Sequence, residues 1–314
     1  MRKLLVGLAV ILVAAVLVMA GLWAFARDAT LTWLLNSPVA VMMTRSDQAD
    51  PTKVWAALQT HRNPPDARDD FDGEALGPAW RFVNLNGRGI VTRPPEVHAA
   101  DARIADGALA LRVLHDPDFE QESDAWKPGQ AAATRYNNAY TIGFQGYSPT
   151  PTHDVVIETR YAVSRGFHGS TGLWIEEQDT FEGDTGVMVK PFRAFGTSYL
   201  GPDSQTPLGG AQIEAVMGFV PVCARRMAPG VDVTKANVYR MVWSVVDEKR
   251  MRVALSVNGQ PDQSCTFPSF HPGEIQLWAD NYRVTGIQIG HLNVPEGVVD
   301  ETRFDYVSVA VVPK

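Results

Sequence analysis

The 314 residues include only two cysteines, Cys223 and Cys265, too few for a structural zinc site. The seven histidines show no ligand spacing such as H-x-x-x-H. There is no C-x-x-C-H for haem and no G-x-S-x-G nucleophile elbow. A glycine-rich phosphate loop is missing as well; Gly87-Arg88-Gly89 reads as a turn. Positive charge is in short supply: 28 Lys/Arg stand against 35 Asp/Glu. Residues 1–69 carry net +2, which leaves −9 on residues 70–314. A body that acidic argues against nucleic acid as a partner. Beyond residue 70 no long amphipathic helix appears, and that absence directs the fold.

What is present begins with one long hydrophobic run. Leu4 to Ala26 holds 23 residues without a charge, preceded by Arg2 and Lys3. That length spans a bilayer as a helix. The flanking cations keep the amino terminus cytoplasmic and send the rest outside. A cleaved signal peptide is the competing reading, with Ala24-Phe25-Ala26 as its cleavage site. The run exceeds the usual apolar core of about 7–15 residues, so a retained anchor is the expectation. The expected organisation is a cytoplasmic tip and anchor over 1–27, a membrane-proximal segment over 28–69, and a main domain over 70–314 that is periplasmic or extracellular. Thr30 to Thr44 is apolar but broken by Asn36-Ser37-Pro38. It suits the lipid surface, a partner, or plain packing on the body. Asp50-Pro51 starts a short helix, with Val54, Trp55 and Leu58 as its apolar face. The run Arg62-Asn63-Pro64-Pro65 ends that helix and makes a linker.

The stretch VVIETRYAVSRGFHGSTGLWIEEQDTFEGD organises the main domain. Val155, Ile157, Thr159, Tyr161 and Val163 alternate with their neighbours, which makes one strand with two faces. A second strand runs through Leu173, Trp174 and Ile175, and five acids follow: Glu176, Glu177, Asp179, Glu182 and Asp184. Further strands cover Leu109–Val113, Tyr239–Val245 and Met251–Val257. The last of these ends at Asn258-Gly259, a strong hairpin signal. Ile275, Leu277 and Ala279 share one face of another strand, with Gln276, Trp278 and Asp280 on the other. The chain closes on FDYVSVAVV. Many short strands with Gly/Pro turns mean an all-β, antiparallel sandwich.

The order of these pieces resembles a concanavalin A-like lectin/glucanase jelly roll, and in part a family-16 glycoside hydrolase. FDGEALGPAWRF and IADGALALRV resemble its first strands. Glu158-x-Arg160 with Gly172-Leu173-Trp174, the YRMVWSVVDEKRMRVALSVNGQ pair, EIQLWADN and FDYVSV complete the set over residues 70–314. Glu177-x-Asp179-x-x-Glu182 is similar to the family's E-x-D-x-x-E pattern. The resemblance implies Glu177 as nucleophile, Glu182 as general acid/base and Asp179 as the residue that tunes them. In the family that motif occupies its own strand after the Trp-bearing one. Here the next strand expected is Gly186–Val189.

Three readings of the acidic run stand side by side: catalysis by those three residues, Ca²⁺ held by Asp179, Glu182 and Asp184, or a solvated loop. Trp174, Trp278 and Tyr136, with Asn137, Asp280 and Asn281, suit a sugar platform of apolar walls and a few polar groups. Tyr140, Tyr282 and Asn138 are further candidates. Core packing is the alternative for each aromatic. Cys223 and Cys265 fall in the part placed outside the cytoplasm, where a disulfide persists. The expected function is a non-catalytic, membrane-anchored binding or docking module. It would be either an accessory subunit of a membrane protein complex or a lectin-like polysaccharide binder. The alternative is a family-16-like hydrolase that cleaves envelope or extracellular polysaccharide by a retaining mechanism. No resident cofactor is expected beyond the Ca²⁺ alternative.

Overall fold

The structure is a computed structural model. It describes residues 51–83, 100–117, 138–178, 181–182, 187–188, 193–201, 210–217, 220–228, 230–285, 288–291 and 293–314. These belong to one compact unit, residues 46–314. The expected anchor and the 30–44 segment lie outside the described residues. Among the described residues no helix is long and apolar enough to cross a membrane.

Among the described residues one helix, α1 (Pro51–Thr60), precedes nineteen strands. They are β1 (Ala67–Asp69), β2 (Trp80–Val83), β3 (Ala100–Ile104), β4 (Leu109–Leu114), β5 (Asn138–Tyr147), β6 (His153–Val163) and β7 (Ser170–Glu177). Next come β8 (Phe181–Glu182), β9 (Val187–Met188), β10 (Arg193–Leu200), β11 (Gly210–Met217), β12 (Val220–Arg226) and β13 (Asn237–Val245). The last are β14 (Arg250–Val257), β15 (Gln260–Pro268), β16 (Gly273–Asp280), β17 (Tyr282–Thr285), β18 (Gln288–His291) and β19 (Val299–Pro313). Two antiparallel sheets form. The back sheet runs β15-β14-β13-β6-β19-β4-β3, with β1 added on β19. The front sheet runs β12-β11-β10-β7-β16-β5-β2. β8–β9 and β17–β18 are separate pairs.

Period-two alternation sends one face of each sheet inward. On β6 the inward residues are Val155, Ile157, Thr159, Tyr161 and Val163, all buried. Tyr239, Met241 and Trp243 do the same on β13, and Met251, Val253 and Leu255 on β14. Across the gap the front sheet answers with Leu173, Ile175, Phe195, Ile213, Ile275 and Leu277. Phe195 lies 4.8 Å from Trp243 and 4.9 Å from Phe267, ring centre to ring centre. Two pairs of polar groups in this layer meet across the sheets. Tyr161 donates its hydroxyl to Thr197 at 3.1 Å, and the Thr171 and Thr302 hydroxyls meet at 2.6 Å. A register shift between Phe304 and Tyr306 re-phases β19, so Phe304 and then Val307 and Val309 all face in.

The hairpin read at Asn258-Gly259 joins β14 to β15. Both residues have positive φ, 51° and 79°, which is the pattern of the turn that matches strand twist. Asp106-Gly107 repeats it between β3 and β4 with φ of 53° and 68°. Cys223 on β12 and Cys265 on β15 are bonded, so a disulfide ties an edge strand of the front sheet to an edge strand of the back sheet.

The boundary expected at residue 70 falls inside the folded unit. α1 buries Val54 and Leu58. After it, Asn63 donates to the Ser148 carbonyl and accepts from the Ser148 N–H, at 2.8 and 2.7 Å. The Tyr147 hydroxyl donates to the Pro65 carbonyl, and β1 pairs with β19. The stretch read as a linker is thus stitched to the sandwich by its own amide and carbonyl groups.

Candidate functional site

The same alternation that builds the core presents a second set of side chains on the outer face of the front sheet. On β7 the odd residues Leu173 and Ile175 face the core, so Ser170, Trp174 and Glu176 face outward. β16 lies antiparallel beside it in a register that sets Glu274 opposite Glu176, Gln276 opposite Trp174, and Asp280 opposite Ser170. On the other side, β10 places Ala194 opposite Glu176, Gly196 opposite Trp174 and Ser198 opposite Gly172. β11 then sets Glu214 opposite Gly196 and Gln212 opposite Ser198.

One patch therefore gathers three glutamates, an aspartate, two glutamines and two tryptophans. The Trp174 and Trp278 rings meet at 4.8 Å with a 53° tilt. Glu274 accepts from Gln145 Nε2 at 2.9 Å and has Arg81 Nη2 at 3.9 Å. Ser170 donates to Asp280 at 2.5 Å. Gln212 Nε2 donates to Ser198 at 3.1 Å and to Glu214 at 3.0 Å. Burial pushes the Glu214 carboxyl up, while the Ser198 hydroxyl and the Trp174 indole beside it pull the other way. Gly196 is needed here, because a Cβ would stand 2.0 Å from the Leu173 carbonyl oxygen. Glu176, Glu274 and Gln276 are fully buried although they point away from the core, and Trp174 is half-buried.

The candidates read from the sequence are distributed differently. Trp174, Trp278 and Asp280 come together on this outer face, but Trp278 is buried rather than open. Asn281, next to Asp280, is buried too. Glu177 lies on the opposite face from Trp174. It points into the layer between the sheets, where its Oε2 sits 3.8 Å from Arg193 Nε, and both side chains are buried. The outward-facing acid of β7 is Glu176. β7 ends at Glu177, and Glu182 falls in β8, paired only with β9 outside the two main sheets. Glu177 and Glu182 therefore lie on different strands. Asp179, Asp184, Tyr136 and Asn137 lie outside the described residues. Among the described residues no three His, Cys, Asp or Glu side chains cluster as a metal site would require.

Glu214, Glu274 and Gln276 as members of one site were missed. Gln276 and Trp278 share parity, and so do Trp174 and Glu176, so counting by two was signal enough within a strand. Nothing in the sequence says which strands are neighbours.

Similar folds are known. The chain is similar to the β-glucanase of Bacillus licheniformis at 13% identity and a TM-score of 0.50, covering 79% of this chain and 99% of that one. A structure described with endo-acting O-glycanases of the human gut microbiota that initiate mucin breakdown gives 15% and 0.51, over 78% and 98%. The body of this chain is a concanavalin A-like jelly roll. The catalytic domain of an endo-1,3-β-glucanase (laminarinase) from Thermotoga petrophila gives 18% and 0.48, over 81% and 100%. No family model matches the sequence, and no curated relative matches it. A jelly roll shared at such identities leaves function to the residues of the front face.

Proposed function

We propose that this jelly roll binds and cleaves a polysaccharide on its front face by the retaining, two-carboxylate route. The observation that carries the reading is the Glu176–Glu274 pair, two glutamates directly opposite on adjacent strands with both side chains outward. Opposed residues in an antiparallel pair have Cα atoms roughly 4.5–5.5 Å apart. A retaining glycosidase needs its two carboxyl groups about 5–5.5 Å apart. One carboxyl group protonates the glycosidic oxygen as the other attacks the anomeric carbon and forms a glycosyl ester. Water then breaks that ester, with the first residue now acting as base. Gln145 and Arg81 orient Glu274, and the Trp174–Trp278 corner supplies an apolar wall for a sugar ring. The glucanase and laminarinase names of similarly folded proteins accord with this substrate class.

Wild-type protein should release reducing ends from a soluble β-glucan or a galactan. Glu176→Gln and Glu274→Gln should each slow release by about 10²–10⁴-fold with glycan binding retained. Either variant at wild-type rate sinks the reading.

A second reading, a glycan binder without catalysis, has its own observation. β10, the next front-sheet strand after the Trp-bearing one, turns Ala194, Gly196, Ser198 and Leu200 outward, with no carboxylate. Wild-type binding without reducing-end release, weakened by Trp174→Ala, would favour it. Nothing among the described residues favours a docking subunit of a membrane complex over these two.

We also place the jelly roll outside the cytoplasm, tethered by residues 4–26. The bonded cysteines and the cation-flanked apolar run support this. Protease added to spheroplasts, with the cytoplasmic membrane intact, should digest residues 51–314, and full protection there would overturn the placement.

A further inference from the structure

Gln276 lies on β16 between Glu274 and Trp278 and faces outward opposite Trp174. It is fully buried. Among the described residues neither its Oε1 nor its Nε2 has a hydrogen-bond partner. That is costly, since a buried amide with both ends unpaired has lost its water and gained nothing for it. Buried side-chain amides almost always find partners, and exceptions point to function or to a missing guest. The neighbouring amide Gln212 shows the ordinary outcome, with its Nε2 shared between Ser198 and Glu214.

We propose that Gln276 is a sugar-binding residue. Its amide is completed by two adjacent hydroxyls of one uncharged ring, one donating to Oε1 and the other accepting from Nε2. This rests on the glycan cleft proposed above and deepens it. The amide's own pattern, one acceptor and two donors on one plane, matches a vicinal diol. The ring is uncharged because the same face carries Glu176, Glu274, Glu214 and Asp280, while Arg81 already lies against Glu274. An acidic sugar would meet like charge where water is excluded. Trp174 is the half-buried neighbour directly opposite the amide, so its indole must swing aside to admit the ring. Binding should therefore change Trp174 fluorescence, a signal lost in Trp174→Phe.

The test uses full-length protein in detergent micelles and the variant Gln276→Met, which keeps length and removes the polar atoms. Its melting temperature should equal or exceed wild type, because an unpaired amide leaves with no bond broken. Its affinity for laminarin, read by the Trp174 signal, should fall about tenfold or more. A melting temperature several degrees lower would mean that the amide was bonded within the fold, and would overturn the proposal. So would unchanged laminarin affinity in Gln276→Met. Tighter binding of polygalacturonate than of laminarin would overturn the uncharged ring. Wild-type protein that binds none of laminarin, galactan or polygalacturonate would overturn the cleft reading and this one together. That result is distinct from a wild type that binds and a variant that binds equally.

Discussion

Glu176 and Glu177 are adjacent in sequence and have opposite environments. One faces outward across from Glu274, and the other is buried between the sheets against Arg193. A single residue of strand parity separates a candidate catalytic acid from a structural ion pair. Glu214 shows what burial does where no cation among the described residues pairs with the carboxyl. Its carboxyl is pushed above the ordinary value of 4.5, so the folded chain holds that proton more firmly than the unfolded chain does. Its contribution to stability is fully present below the unfolded value and is lost as pH rises through the folded one. Glu214→Gln should therefore be more stable than wild type near pH 7. The gap should close below about pH 4, where both side chains are neutral. Urea unfolding across that range checks the sign, and a gap that widens in acid would contradict it.

Among the elements, the hairpins are set by local chemistry and the helix by tertiary contact. Asn258 adopts φ 51°, accepts the Val238 N–H at 2.9 Å and donates to Asn237 at 2.9 Å. Asparagine tolerates that left-handed conformation where alanine does not. Asn258→Ala should lower the unfolding free energy by about 2 kcal/mol in a denaturant titration. Asn258→Gly should recover part of the loss, since glycine restores the φ but not the two hydrogen bonds. Helix α1 has only ten residues, too short to persist alone in water, and holds because Val54 and Leu58 are buried. β7 and β10 pair tightly at Gly172 and Gly196, where a Cβ would come within 2.1 and 2.0 Å of a carbonyl oxygen across the pair. With no side chain on Gly196, its cross-strand neighbours Glu214 and Trp174 meet over it.

At the scale of the whole molecule, one disulfide closes the two-sheet sandwich at an edge. Cys223 and Cys265 are 42 residues apart in sequence and join β12 to β15. In the chain-entropy account, a loop of that size constrains the unfolded state by about 4 kcal/mol. The Cys223→Ser/Cys265→Ser double variant should melt well below wild type, and reductant should lower the wild type's melting temperature towards it. Equal melting temperatures with and without reductant would show that the staple carries no stability. The front face has no comparable closure. Its acids, amides and tryptophans are brought together by the β11-β10-β7-β16 order, which draws on residues from Ser170 to Asp280.

The sequence by itself determined the sandwich, most strand faces, the Asn258-Gly259 turn and the helix start at Pro51. All of these follow from nearest-neighbour chemistry: a period of two, a left-handed turn residue, a proline at the first helical position. It also named Trp174, Trp278 and Asp280, which do share a face. Only the tertiary structure decided that β7 ends at Glu177, that Glu176 takes the outer side, and that Glu274, Gln276 and Glu214 join it from other strands. The reason is that pairing register is a long-range property. It depends on which hydrophobic faces bury each other across tens of residues, and a one-residue slip would send every side chain of a strand to the other face.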